Sequence, residues 1–239
     1  QDFEGFPQAW YRVRYEPLGE PRLAKQITHR ALEAGLPVRV SEELWGLDHG
    51  AWTPLLYLFP DADVPVVSLS MALHFGHGRD ANDAGSTGPS LEAGAEAHRR
   101  LGAAVAQAAE DLGLRIGFLA TGALTHRLDL WGDVDLQPAG GGGAEARRPP
   151  EPDLTQARPY DREVLTRLLE HRWTELEAVD PALRREAAPE GDNRPLETLL
   201  GALAAEEERI GRPFDTRLLS YEEAFGVFSL STLLFRPRA

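Results

Sequence analysis

Gly46-Leu47-Asp48-His49-Gly50-Ala51-Trp52-Thr53-Pro54-Leu55 is the stretch on which the reading of this chain turns. It sets an imidazole beside a carboxylate, next to a glycine that admits close approach and ahead of a proline that fixes the exit from a turn. An imidazole at the mouth of a pocket can take or give a proton at ordinary pH. The same residues also read as plain architecture, with Asp48 capping a short helix that begins near Gly50 and His49 a polar loop residue. Upstream, Pro37-Val38-Arg39-Val40 reads as a short strand; downstream, residues 51–59 read as a short helix and Val64-Pro65-Val66-Val67-Ser68-Leu69-Ser70 as an interior strand. Strand, histidine loop, helix, strand is an α/β rhythm. In open α/β sheets functional side chains gather just past the carboxyl ends of strands, where His49 falls.

A second histidine repeats the arrangement. Leu114-Arg115-Ile116-Gly117-Phe118-Leu119-Ala120 is the clearest strand in the sequence, and it runs into Thr121-Gly122-Ala123-Leu124-Thr125-His126. Thr121 or Thr125 can orient the ring, and Gly122 lets a substrate lie close; the plainer alternative makes His126 a polar residue at a helix start. Helices are expected over 20–35, with Leu23, Ile27, Ala31 and Leu32 at helical spacing, and over 90–112, with Ala95, Leu101, Val105 and Leu112 facing inward. Another starts with Asp161 as its cap and carries Leu165, Leu168, Leu169, Trp173 and Leu176. A last helix holds Leu196, Leu199, Leu200 and Leu203 inward behind Pro195, and Asp192 reads as its cap. Residues 218–235 alternate enough for one or two strands. His29 and His171 read as surface residues. His74 and His77 sit among turn formers, where a mobile loop competes with a metal reading. The glycines at 140–143 lie in a flexible Gly-rich insertion, 137–158, with no strand or Gly-Lys-Ser/Thr to make it a phosphate loop.

Composition narrows the classes. The 239 residues include no cysteine, which removes disulfides, thiolate catalysis and Cys-ligated metals, so any metal sits on His, Asp or Glu. A formal charge of −13 repels phosphate backbones and anionic membranes, so neither nucleic acid nor a membrane is an expected partner. No apolar run approaches the ~20 residues needed to span a bilayer. The chain is read as cytoplasmic.

Taken together, the Gly46 to Leu55 stretch, the Val64 to Ser70 segment and Ala120-Thr121-Gly122-Ala123-Leu124-Thr125-His126 resemble the class III extradiol ring-cleavage dioxygenases. Asp2-Phe3-Glu4-Gly5-Phe6-Pro7 is most similar to the 4,5-DOPA dioxygenase branch; the region from Asp192 to Leu203 and Tyr221-Glu222-Glu223-Ala224-Phe225-Gly226-Val227 are closer to the protocatechuate-type branch. The resemblance implies an α/β fold in which a central mixed β-sheet is flanked by helices, one catalytic-type domain over 1–239. It implies a catechol-type diol and O₂ as reactants, non-haem Fe(II) as cofactor, with Zn an option in the DOPA-dioxygenase-like branch, and two His with a carboxylate holding the metal. By motif His49 and His126 match the family's catalytic histidines, Asp48, Trp52, Gly122 and Thr125 fall at the substrate, and Asp192 falls where the metal carboxylate belongs, with Glu190 the alternative. The family's two metal histidines precede the segment at which this sequence begins. Three expectations follow: a longer chain, a partner chain that supplies the ligands, or a non-catalytic structural or regulatory homologue. A sheet without its first strands exposes an edge, which favours a homo- or hetero-oligomer. Arg39, Arg127 and Arg194 are candidate partners for a substrate carboxylate, each with an ordinary surface arginine as the alternative.

Overall fold

The computed structural model describes residues 12–38, 40, 46–71, 91–127, 129–130, 152–224 and 226–238. The aromatic lead-in, Arg39, His74, His77 and the glycines of 140–143 lie outside them. The element order is α1 (Pro21–Glu33), α2 (His49–Leu58), α3 (Leu91–Asp111), α4 (Pro159–Leu169), α5 (Pro181–Ala187), α6 (Arg194–Ile210), β1 (Phe214–Ala224) and β2 (Phe228–Pro237), with short 3₁₀ turns at Leu154–Gln156, Trp173–Ala178 and Glu190–Asn193. The chain divides into two compact units, one of residues 1–121 and 195–206, the other of 122–194 and 207–239.

The first unit is helix on helix. The i, i+4 stripe of α1 places Leu23 and Ile27 against Val105, Ala108 and Ala109 of α3, and Ala31 joins Leu36, Leu101 and Ala104 in an adjoining cluster. At the rim Arg30 makes a forked pair with Asp111, Nε to Oδ2 at 2.6 Å and Nη2 to Oδ1 at 2.7 Å. Gly35, at φ +72°, ends α1 in the left-handed region that glycine tolerates. α3 also meets the 195–206 part of α6 at unusually close range. A Cβ on Gly102 would stand 2.6 Å from Ala202 N and closer still to Thr198 O, and one on Gly201 would meet the Arg99 backbone. Beside this crossing Glu197, 1% exposed, accepts from Arg99 Nε at 2.7 Å.

In the second unit β1 and β2 form a two-stranded antiparallel ribbon whose register pairs Phe214 with Pro237 and Ala224 with Phe228, shifting between Leu218 and Ser220. Val164, Leu165 and Leu168 of α4 are fully buried, with Trp173 and Leu176 after it. The break between them is His171, at φ +58°.

Among the described residues the ribbon is the only sheet, so the chain is helix-rich with a small two-stranded sheet and the expected central sheet is not found there. Residues 64–70 make a single parallel pairing, Gly19 with Val66, and residues 114–120 run without a ladder. Both carry strand-forming side chains, but a strand is completed by hydrogen bonds from a neighbour. Leu114, Ile116 and Leu119 are 38%, 38% and 43% exposed.

Gly102→Ala is expected to destabilise the protein by about 1–3 kcal/mol, since backbone on both sides must give way, whereas Gly117→Ala, where a Cβ meets nothing within 4 Å, is expected to escape that clash. Denaturant midpoints of the two variants measure the difference.

Candidate active site

His49 is the first residue of α2 and not a loop residue. Asp48 is the N-cap at φ −72°, ψ 170°, and its Oδ1 accepts from Ala51 N at 2.9 Å. That satisfies one of the amides a helix start leaves unpaired and fixes the direction in which His49 leaves the backbone. His49 is half-buried, with Nδ1 shielded from solvent. Trp52, three residues on, is half-buried on a neighbouring position of the same face. Pro54 lies inside α2 and does not mark the exit from a turn; it removes the donor for the Gly50 carbonyl. A Cβ on Gly50 would stand 3.9 Å from Thr121 Oγ1, so the end of the 114–121 segment comes to the first turn of α2.

In the second unit the His126 segment is held from both sides. His126 N donates to Ala187 O at 2.9 Å, Arg127 N to Val227 O at 2.9 Å, and Ser229 N to Thr125 O at 3.0 Å. Residues 125–127 thus pair with the start of β2, and the His126 ring rests on Phe228 with centroids 5.1 Å apart. Gly122, at φ +153°, packs against Glu190, whose Oε2 accepts from Ala123 N at 3.0 Å while its own N–H donates to Ala123 O at 3.0 Å. Thr125, 1% exposed, gives its hydroxyl to Asp161 Oδ1 at 2.7 Å. That hydroxyl is committed to the interior, at the bend just before His126.

The Asp192 carboxylate is gripped by two guanidiniums. Arg184 Nε donates to Oδ1 at 2.9 Å, and Arg194 Nη2 lies 2.7 Å from Oδ2. Both arginines are buried, at 8% and 2% exposure, so Arg194 is a structural partner and not a surface cation. Asp192 and Asn193 sit in left-handed conformations, at φ +53° and +60°, and Asn193, not Asp192, occupies the N-cap of α6. Asn193 Nδ2 donates to Tyr160 OH at 2.6 Å. Burial pushes the Tyr160 phenol up to about 12, with the Asp192 and Asp161 carboxylates adding to the rise and Arg184 opposing it. Asp161, expected as a helix cap, has no exposed surface; α4 starts behind Arg158 with a proline at its head.

His29, at 61% side-chain exposure beside Glu33, is the surface residue it was expected to be. His171 faces Glu207 at 3.4 Å and stacks on Trp173. Arg127 is paired with Asp129 in a fork. The roles of Arg184 and Tyr221 leave no local signal in the sequence, because their partners, Asp192 and Asp161, are brought to them by the fold.

A family profile described as the catalytic LigB subunit of aromatic ring-opening dioxygenase matches residues 1–228. The chain belongs to the LigB family of ring-opening dioxygenases. Relatives include the 4,5-DOPA dioxygenase extradiol of Escherichia coli (strain K12), 45% identical over 84 residues, which is 33% of this chain and 30% of that protein. That of Beta vulgaris is 41% identical over 73 residues, 30% of this chain and 27% of its own. Dioxygenase tasH of Hapsidospora irregularis is 33% identical over 70 residues, 29% of this chain and 22% of its own. Each match spans less than a third of the relative's length.

The family generally uses a non-haem metal. Among the described residues no three His, Asp or Glu side chains group to hold one. Of the two expected carboxylates, Asp192 is engaged by two arginines and Glu190 by a backbone amide. With a guanidinium on each oxygen, the Asp192 carboxylate does not fit a metal ligand, because a ligating carboxylate needs its lone pairs directed at the ion. No helix among the described residues is long and apolar enough to cross a membrane.

Two predictions follow from this geometry. Asp192→Asn keeps the shape but removes the charge between two buried guanidiniums, and is expected to lower unfolding free energy by about 3 kcal/mol in denaturant titrations. The Tyr160 proton is lost near pH 10 in the unfolded chain and only near 12 in the folded one. Its contribution to stability is therefore complete below pH 10 and disappears as pH rises from 10 to 12, at about 1.4 kcal/mol per pH unit. Tyr160→Phe is expected to flatten the fall in denaturant midpoint between pH 9 and pH 11.

Proposed function

We propose that this chain takes part in extradiol cleavage of a catechol-type aromatic ring, with both atoms of O₂ entering the product. The observation that carries the reading is the family match over residues 1–228, which includes both histidine motifs. The relatives named for 4,5-DOPA cleavage support an aromatic diol as substrate class.

In this reading His49 and His126 handle protons. Ring opening beside a diol requires the hydroxyls to lose protons before the ring is attacked and a proton to return as the product forms. His49, aimed by the capped start of α2, serves as the base toward one hydroxyl. His126, backed by Phe228 and pinned through Ala187, donates to the oxygen that gains charge. Trp52 offers an apolar face for the ring, and Gly122, without a Cβ, lets it lie close to the backbone before Ala123. Fe(II) or Zn remains the cofactor expected from the family, and the active assembly is one catalytic-type domain or an oligomer in the cytoplasm.

A second reading, a non-catalytic structural or regulatory homologue, is favoured by the double arginine pairing of Asp192.

With catechol under air and Fe(II) supplied, the first reading predicts a yellow ring-fission product. His49→Ala and His126→Ala are each expected to lower kcat by about 10²–10⁴-fold, the usual worth of a positioned acid or base. Metal-loaded protein that leaves catechol unchanged supports the second reading, as do histidine variants that match the parent in rate.

A further inference from the structure

We propose that Asp161 is a positioning residue for His126. The proposal rests on the acid–base role of His126 given above. Asp161 lies in the first turn of α4 with no exposed surface, and no part of the chemistry so far uses it. Its carboxylate accepts from two hydroxyls on separate elements, Thr125 Oγ1 at 2.7 Å and Tyr221 OH at 2.8 Å. Tyr221 OH in turn accepts from Arg158 N at 3.2 Å, just before α4. Three pieces of the unit, α4, β1 and the 125–127 segment, therefore meet at one carboxylate.

The network bears on His126 through the residue that precedes it. The chain bends at Thr125, whose buried side chain reaches Asp161, and pairs at His126, whose ring lies on Phe228. The backbone bonds at Thr125, His126 and Arg127 fix the segment between Ala187 and the start of β2. The Thr125 hydroxyl, caught by Asp161, adds a side-chain tether at the bend immediately before the imidazole.

A carboxylate withdrawn from water is costly and demands donors, and an apolar residue of similar size would fill the space more cheaply. The placement of this one, against the residue adjacent to His126, makes directional restraint the function that accounts for its cost. Misplacing a reacting group by about 1 Å can cost on the order of 10²-fold in rate.

The test uses the full chain and three variants: Asp161→Asn, Tyr221→Phe and Thr125→Val, the last isosteric with threonine but without its hydroxyl. Two-dimensional ¹H–¹³C spectra report the histidine rings at fixed pH. The expected result is that Asp161→Asn and Thr125→Val shift or broaden the His126 ring signals while those of His29 and His171 stay in place, which shows the fold intact. Tyr221→Phe is expected to act in the same direction but less. In the ring-cleavage assay the same variants are expected to lower kcat about tenfold or more, with KM within about twofold. Unchanged His126 ring signals in folded Thr125→Val and Tyr221→Phe protein overturn the proposal, even should Asp161→Asn fail to fold. The acid–base reading fails separately, if His126→Ala leaves the rate intact; the spectra then still decide whether Asp161 orients the ring.

Discussion

A carboxylate with no contact to water must be answered by donors, and in the second unit that requirement organises what lies around it. Asp161 draws a hydroxyl from Thr125 and another from Tyr221, and so ties α4 to β1 and to the segment that carries His126. Burial, together with the Asp161 carboxylate, raises the Tyr221 phenol against the opposing pull of the Arg158 amide, so it stays a donor through the neutral range. The apolar side chains of α4 supply the driving force for burial, and the polar triangle supplies the direction.

The first unit solves a different problem by shape. α3 and α6 approach until glycine is required on both, at Gly102 and Gly201, and α1 lies along α3 through alanines and branched side chains. Within that frame α2 is short and carries a proline, and it depends on Asp48 for its start. His49 inherits its direction from this cap. The two histidines are thus held by unlike means, one by a helix terminus and the other by a paired extended segment.

Much of this was legible in the sequence. α1, α3, α4 and α6 follow the spacing of Leu23 with Ile27, Leu101 with Val105, Leu165 with Leu168, and Leu199 with Leu203, because a helix writes its buried face into its own period. The ribbon at 214–237 likewise follows alternation. Residues 64–70 and 114–120 read as strands, yet the hydrogen bonds that would make them strands belong to neighbours that composition does not specify. Asp161 read as a cap because an acid before an apolar run usually is one; its true partners lie 36 and 60 residues away. Arg194 read as a surface cation and is buried on Asp192, a pairing that only the left-handed turn at 191–193 brings about. Such long-range polar pairs leave no local pattern.

The central claim is that the motif histidines His49 and His126 respond to an aromatic diol. The most direct test is to titrate the ¹³C-labelled full chain with catechol, without metal, and follow both imidazole ring signals. The account predicts that each of the two moves along a saturation curve, while His29 stays still. Ring signals that stay in place up to saturating catechol would contradict it.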